Sequence, residues 1–213
     1  FAVTNFFGFS VIPVYFLTLL LVALPATLAT IPSPTTFSYA TLMPSFLAIP
    51  LLLFYPIHLF VGDTNYARGK AYLDASRPTE ALPYLNKAVA SRPSEALFTS
   101  ALGEAYAQLG QSSRASALAD KTRVLNPYHL NYYKSRAKIY LTLAATDPSY
   151  NTSAAAELEK SRELAPTDPK LAYNLGLVYT RLDNTDKAEK NLLDAIALRP
   201  QYQDPYYALT LLY

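Results

Sequence analysis

Cysteine is absent from the 213 residues. That excludes disulfides, thiolate zinc sites and a cysteine nucleophile, and it leaves the compartment open. Histidine is nearly absent: only His58 and His129 occur, with no metal-ligand spacing, so no metal is expected. The most informative absence is regional. No Asp, Glu, Lys or Arg precedes Asp63, and all 34 charged residues lie within 63–213. The chain therefore reads as a lipid-soluble segment joined to a water-soluble one, long enough for one or two domains. The net charge of +2 argues neither for nor against a nucleic-acid partner. No nucleic acid, no cofactor and no catalytic group is expected here. The carboxylates form no concentrated pair.

Residues 6–31 are apolar and uncharged. At about 1.5 Å per residue this length crosses a hydrocarbon core of roughly 30 Å. Pro13 and Pro25 would kink such a helix, which membrane helices tolerate. A cleaved signal peptide lacks support, because no positive n-region precedes the run and a second apolar run follows. Residues 32–39 are a polar turn, with Pro32 and Pro34 opposing helix. Residues 40–61 form the second run, holding Pro44, Pro50 and Pro56. Residues 1–62 are thus expected to form a transmembrane helical hairpin in a bilayer, with a core hairpin of a soluble protein as the rival. His58 lies near the end of the second run, where a polar ring reaches the headgroups.

Residues 63–213 repeat themselves. The interval from Pro93 to Pro127 is 34 residues, as is that from Pro166 to Pro200. Aligned on these prolines, a small residue recurs at Gly69, Gly103, Ala137 and Gly176, a tyrosine at Tyr72, Tyr106, Tyr140 and Tyr179, and an alanine at Ala81, Ala115, Ala154 and Ala188. In the fourth copy Asp168 can cap a helix whose first turn holds Pro169. Leu171, Leu175, Val178 and Leu182 follow at helical spacing, and Asp183-Asn184-Thr185 supplies turn and cap chemistry. A second helix then runs through Ala188, Leu192, Ala195 and Ile196.

This pattern resembles the tetratricopeptide repeat, a 34-residue helix-turn-helix unit. The expected fold is all-α: the membrane hairpin followed by an α-solenoid of about four units, 63–93, 94–127, 128–166 and 167–200. The partial fifth, 201–213, supplies a first helix in which Asp204-Pro205 repeats Asp168-Pro169. Each unit buries its apolar face only against its neighbours. Departures are local: unit two carries Ala119 and Thr122, and unit three is 39 residues long, with its excess placed near Ala145–Thr152. The apolar fifth helix makes a poor cap and Phe1 is no start methionine, so a longer natural chain is expected at both ends.

In this family the concave surface is lined by the first helix of each unit. That implies a groove for a protein or peptide ligand, or an acidic glycan-lipid segment, holding Tyr66, Lys70, Glu104, Gln108, Asn131, Lys134, Lys138, Lys170, Tyr173 and Arg181, leaning basic towards units three and four. The lysine–asparagine arrangement that grips a chain-terminal carboxylate in some members is not reproduced. Most of the 18 tyrosines fall at packing positions. His129 is expected on the surface, Glu157, Glu159, Lys160 and Glu163 on a solvated helix face, and Asn151-Thr152-Ser153 as a glycosylation acceptor in a loop.

Asn5-Phe6-Phe7-Gly8-Phe9-Ser10, the apolar run after it and the order span, span, repeats resemble the end of the bacterial O-antigen ligase and polymerase family. Those membrane enzymes transfer lipid-linked glycans, and their catalytic residues precede this helix, so no position here receives such a role. The resemblance implies an integral protein of the bacterial inner membrane with the repeats outside. Arg68, Lys70 and Arg77 would weakly favour the opposite side. The alternative is a membrane-anchored scaffold of an envelope or secretion complex with no enzyme attached.

Overall fold

The computed structural model describes residues 60–213. The two expected spans therefore lie outside the described residues, apart from Phe60 and Val61, and so does His58. No helix among the described residues is long and apolar enough to cross a membrane. Val61–Tyr213 is one compact unit, helical throughout its regular structure.

Nine helices follow one another among the described residues: α1 (60–74), α2 (Pro78–Ser91), α3 (Ala96–Gln108), α4 (Ser112–Leu125), α5 (Leu130–Ala144), α6 (Tyr150–Leu164), α7 (Pro169–Arg181), α8 (Thr185–Leu198) and α9 (Gln203–Leu212). Asp63, expected to open the first unit, sits inside α1. Odd-numbered helices are the first helix of each unit and even-numbered ones the second. α3, α5 and α7 each pack on their own second helix, and each of α3, α5, α7 and α9 packs on the second helix of the unit before it.

The core is serial rather than central. One apolar cluster joins Leu73, Ala81 and Leu85 to Ala101, Leu102 and Ala105. The next joins Ala107, Ala115 and Ala119 to Ile139, Leu143 and Ala154. A third joins Ala155 and Leu158 to Leu171, Leu175, Val178 and Ala188. Every cluster spans two neighbouring units, so no unit is stable alone.

The repeated positions have simple physical causes. The four alanines Ala81, Ala115, Ala154 and Ala188 are completely buried where two helices cross. Opposite them, a Cβ on Gly176 would stand 2.6 Å from Leu192 Cγ, and one on Gly69 2.6 Å from Leu85 Cγ. Only hydrogen leaves room there. Three of the turns within units pass through a left-handed residue at one register position: Ser76 (φ 57°), Gly110 (φ 69°) and Asp183 (φ 54°). Helix starts are capped by Asp168, which accepts from the Lys170 N–H at 3.0 Å, and by Asn184, which accepts from the Lys187 N–H at 3.1 Å. His129 is exposed and caps α5, its Nδ1 accepting from the Asn131 N–H at 3.2 Å.

Unit three breaks the pattern. Its register position for the left-handed turn is Ala144, which remains helical, so α5 runs for 15 residues where α3 and α7 have 13. The connection 145–149 is also longer than 109–111 or 182–184. The excess is thus shared between helix and loop instead of lying in a single inserted loop. Asn151 accordingly sits in the first turn of α6 with its side chain buried, which removes it as a loop acceptor for glycosylation. At the end of the chain, α9 opens at Gln203, 34 residues after the start of α7 at Pro169. Asp204-Pro205 therefore falls inside the first turn and not at the cap. Helix spacing follows the packing period, and Pro205 is tolerated because first-turn N–H groups lack helical partners.

Candidate binding groove

The expected groove residues separate into three sets. Lys70, Glu104 and Lys138 occupy one register position on α1, α3 and α5, and they meet. Lys138 Nζ donates to Glu104 Oε2 at 2.8 Å, and Lys70 Nζ lies 3.5 Å from the same oxygen. Glu104 is buried, so its charge is satisfied by a cation from the unit on either side. Burial draws Lys70 downward, but its hydrogen bond to Asp74 and the Glu104 charge outweigh this and hold it above its ordinary value. Tyr66 stacks on Phe98 with ring centroids 5.1 Å apart, and burial raises its phenol.

Lys134 makes a second tie between units, donating to Asp168 Oδ2 at 2.8 Å. Burial pushes the Asp168 carboxyl up. The Lys134 bond and the backbone N–H groups of Lys170 and Leu171 push it down further, so it rests below its ordinary range. Gln108, Asn131 and Lys170 are exposed. Tyr173 packs edge-on against Tyr202 of the next unit at 5.3 Å.

The third set is a hollow. Lys138 and Arg181 meet across a cavity of about 230 Å³ between α5 and α7, together with Leu141, Thr142, Asn174, Leu177 and Val178. α3 packs directly on α5, whereas the backbones of α5 and α7 hardly touch. Leu177 occupies the register position held by Lys70, Glu104 and Lys138, so the ladder of charges ends in an apolar side chain. Arg181 is exposed, and neither it nor the half-buried Asn174 amide has an ionic or hydrogen-bond partner among the described residues. Asn174 and the aliphatic residues are not among the groove residues expected from the sequence. The signal was the change at two aligned columns: Ala67, Ala101 and Ser135 give way to Asn174, and charge gives way to Leu177.

The opposite side of units three and four carries a larger hollow of about 560 Å³, bounded by α6, α7 and α8. Several of its polar groups pair with one another. Tyr179 donates to Glu159 and accepts from Lys187, while Arg162 bridges to Asn191 and Asp194.

Glu157, expected on a solvated face, is buried. It receives Arg136 Nε at 2.8 Å and Arg123 from α4. Arg136 is completely buried, with its guanidinium 4.3 Å from the centre of the Tyr133 ring. Glu159, Lys160 and Glu163 are exposed as expected. The helical period places Glu157 one step round from them, and that step faces α4 and α5.

No curated protein matches the sequence. Two tetratricopeptide-repeat profiles match residues 66–129 and 169–202, and the 39-residue unit lies between them. Solved structures share the fold. MamA from Desulfovibrio magneticus RS-1, residue 41 to its end, superposes with a TM-score of 0.59 at 24% identity, over 71% of this chain and 83% of that one. A thermophilic tetratricopeptide protein of Thermus thermophilus gives 0.58 at 23% identity, over 71% and 81%. YrrB, described as having an unusual peptide-binding site, gives 0.56 at 21%, over 70% and 74%. This chain carries tetratricopeptide repeats, arrayed over its described residues as an α-solenoid.

Proposed function

We propose that the repeats form a protein-interaction module that binds an extended peptide segment along the row of first helices, with its main contacts in the hollow between α5 and α7. The observation that carries this reading is the pairing of open polar groups, Asn174 and Arg181, with an aliphatic lining in the same cavity. Of the other charges expected to face a ligand, Lys70, Glu104, Lys134 and Lys138 pair across neighbouring units. The peptide-binding description of YrrB, a protein of the same fold, is in keeping with it.

The uncharged residues 1–62 anchor this module in a bilayer, and the protein of which it forms part is a lipid-linked glycan ligase or polymerase of the bacterial inner membrane. The module recruits or orients a partner beside that enzyme. Support for the anchor is the complete lack of charge before Asp63. Support for the enzyme is the resemblance of the first residues and the order of parts. A scaffold without an enzyme has the same anchor, and the upstream coding sequence separates the two: further spans and an external loop with histidine and arginine support the ligase, and a start codon just before Phe1 contradicts it.

Two experiments test the module and its anchor. Alkaline carbonate washing of membranes should leave the full chain in the pellet, and release into the supernatant contradicts the anchor. Panning a random peptide library against the full chain in detergent should recover binders whose retention depends on Arg181. Failure to recover any binder contradicts the module.

A further inference from the structure

The ligand's chemistry can be read from what the hollow leaves open. Glu104 already holds Lys70 and Lys138, and Asp168 holds Lys134, so a bound segment gains little charge pairing over α1, α3 or the start of α5. Arg181 is exposed and unpaired among the described residues. Its planar fork matches a carboxylate in two parallel hydrogen bonds. Lys138, on the other wall, adds a second positive charge that repels a cationic side chain. Asn174 offers one donor group and one acceptor in the same plane, which suits a single peptide group of a passing backbone. Leu141, Leu177 and Val178 line the cavity with aliphatic surface.

We propose that this hollow selects a peptide carrying an acidic and an aliphatic side chain two residues apart, read within an extended segment rather than at a chain end. This inference rests on the peptide-binding reading above and specifies it. In an extended chain every second side chain points the same way, so a carboxylate on Arg181 and an aliphatic group on Leu177 come from residues i and i+2. The hollow lies between the third and fourth of five first helices. First helices flank it on both sides, α1 and α3 before it and α9 after α7, so a segment laid along the row passes through instead of ending there.

The test is fluorescence anisotropy of the full chain in detergent with labelled peptides, acetylated and amidated at their ends. The panel contains Leu-x-Glu and Glu-x-Leu cores, the adjacent Leu-Glu core, Leu-x-Lys and Leu-x-Gln. One i, i+2 acidic core should bind most tightly, with the Lys core weaker by about tenfold or more. Asn174→Leu and Arg181→Gln should each weaken it about tenfold, while Lys121→Met, on the exposed face of α4, stays within about twofold. Circular dichroism melts check that each variant is folded. Preference for Lys, insensitivity to Arg181→Gln, or binding only of peptides with a free C-terminal carboxylate overturns the inference and leaves the groove as a peptide site. No binding by any core, although library binders exist, also overturns it; an empty library overturns the peptide reading itself.

Discussion

Between α3 and α5, first helices of successive units press on one another, and charge is cancelled at 34-residue steps: Lys70 to Glu104, and Glu104 to Lys138. Between α5 and α7 the step is 39 residues, the helix backbones stand apart, and the same register position holds Leu177. At the first junction the charges Lys70, Glu104 and Lys138 have partners within the chain. The second leaves an unpaired guanidinium and amide beside aliphatic surface. A period repeated without change builds a rod with satisfied walls. One unit that runs its first helix past the left-handed turn position opens the wall, and the opening is where recognition chemistry collects.

That contrast can be broken most forcefully at its structural hinge. Arg136 is completely buried against Glu157 within unit three, and Arg123 of unit two reaches the same carboxylate. Arg136→Ala leaves Glu157 without its buried partner and should cost about 3–5 kcal/mol in urea unfolding. An Arg136→Leu/Glu157→Leu double change should recover most of it, because a buried ion pair replaced by apolar packing is close to neutral. If the single change is silent, the pair does not hold this junction.

Gly176→Ala is next. Its new Cβ meets Leu192 Cγ at 2.6 Å, so the α7–α8 contact must shift, at about 1–3 kcal/mol in the melting transition. The aligned Ala137 shows that unit three accommodates a methyl group at this position, so Gly176→Ala measures how tightly unit four is closed by comparison. An unchanged melt would mean that units three and four are equally loose.

Asp168→Ala removes both a cap and the Lys134 tie, and should cost about 1 kcal/mol near neutral pH. The pH dependence has a definite sign. The folded carboxyl is held below its ordinary 3.8, so the unfolded chain takes up the proton first, and acid favours unfolding. The stabilisation is complete above that ordinary value and is lost as pH falls through the lower, folded one. The gap between wild type and Asp168→Ala should therefore be flat from neutral pH down to the ordinary carboxylate range and close only below it. A gap that narrows between about pH 7 and 5 would assign the effect to another group. The smallest effect belongs to Lys70→Met: that lysine is partly exposed, so its loss should change stability by less than about 1 kcal/mol.

Much of this was legible in the chain. Repeated Gly, Tyr and Ala columns fix a helix-turn-helix period because close helix crossings admit only small residues at fixed spacing. Register alone placed Lys138 and Arg181 on the row of first helices, and both line the hollow between α5 and α7. What escaped has physical reasons. Asn174, Leu177 and Leu141 look like ordinary helix residues until the separation of α5 from α7 is known, and that depends on how unit three distributes its five extra residues between helix and loop. Glu157 and Arg136 were hidden by their charge, since a paired ion can be buried and composition does not reveal pairing. Asn151 looked like a loop acceptor because the longer unit was read as one insertion.

The most direct test of the contrast between the two junctions is site-specific photocross-linking of the full chain, with a benzophenone side chain placed at position 177 or at position 66, to a bound acidic–aliphatic peptide. Covalent capture from position 177 and little from position 66 is the predicted result. Equal capture, or capture from position 66 alone, would contradict the claim that the open junction between α5 and α7 is where this solenoid holds its ligand.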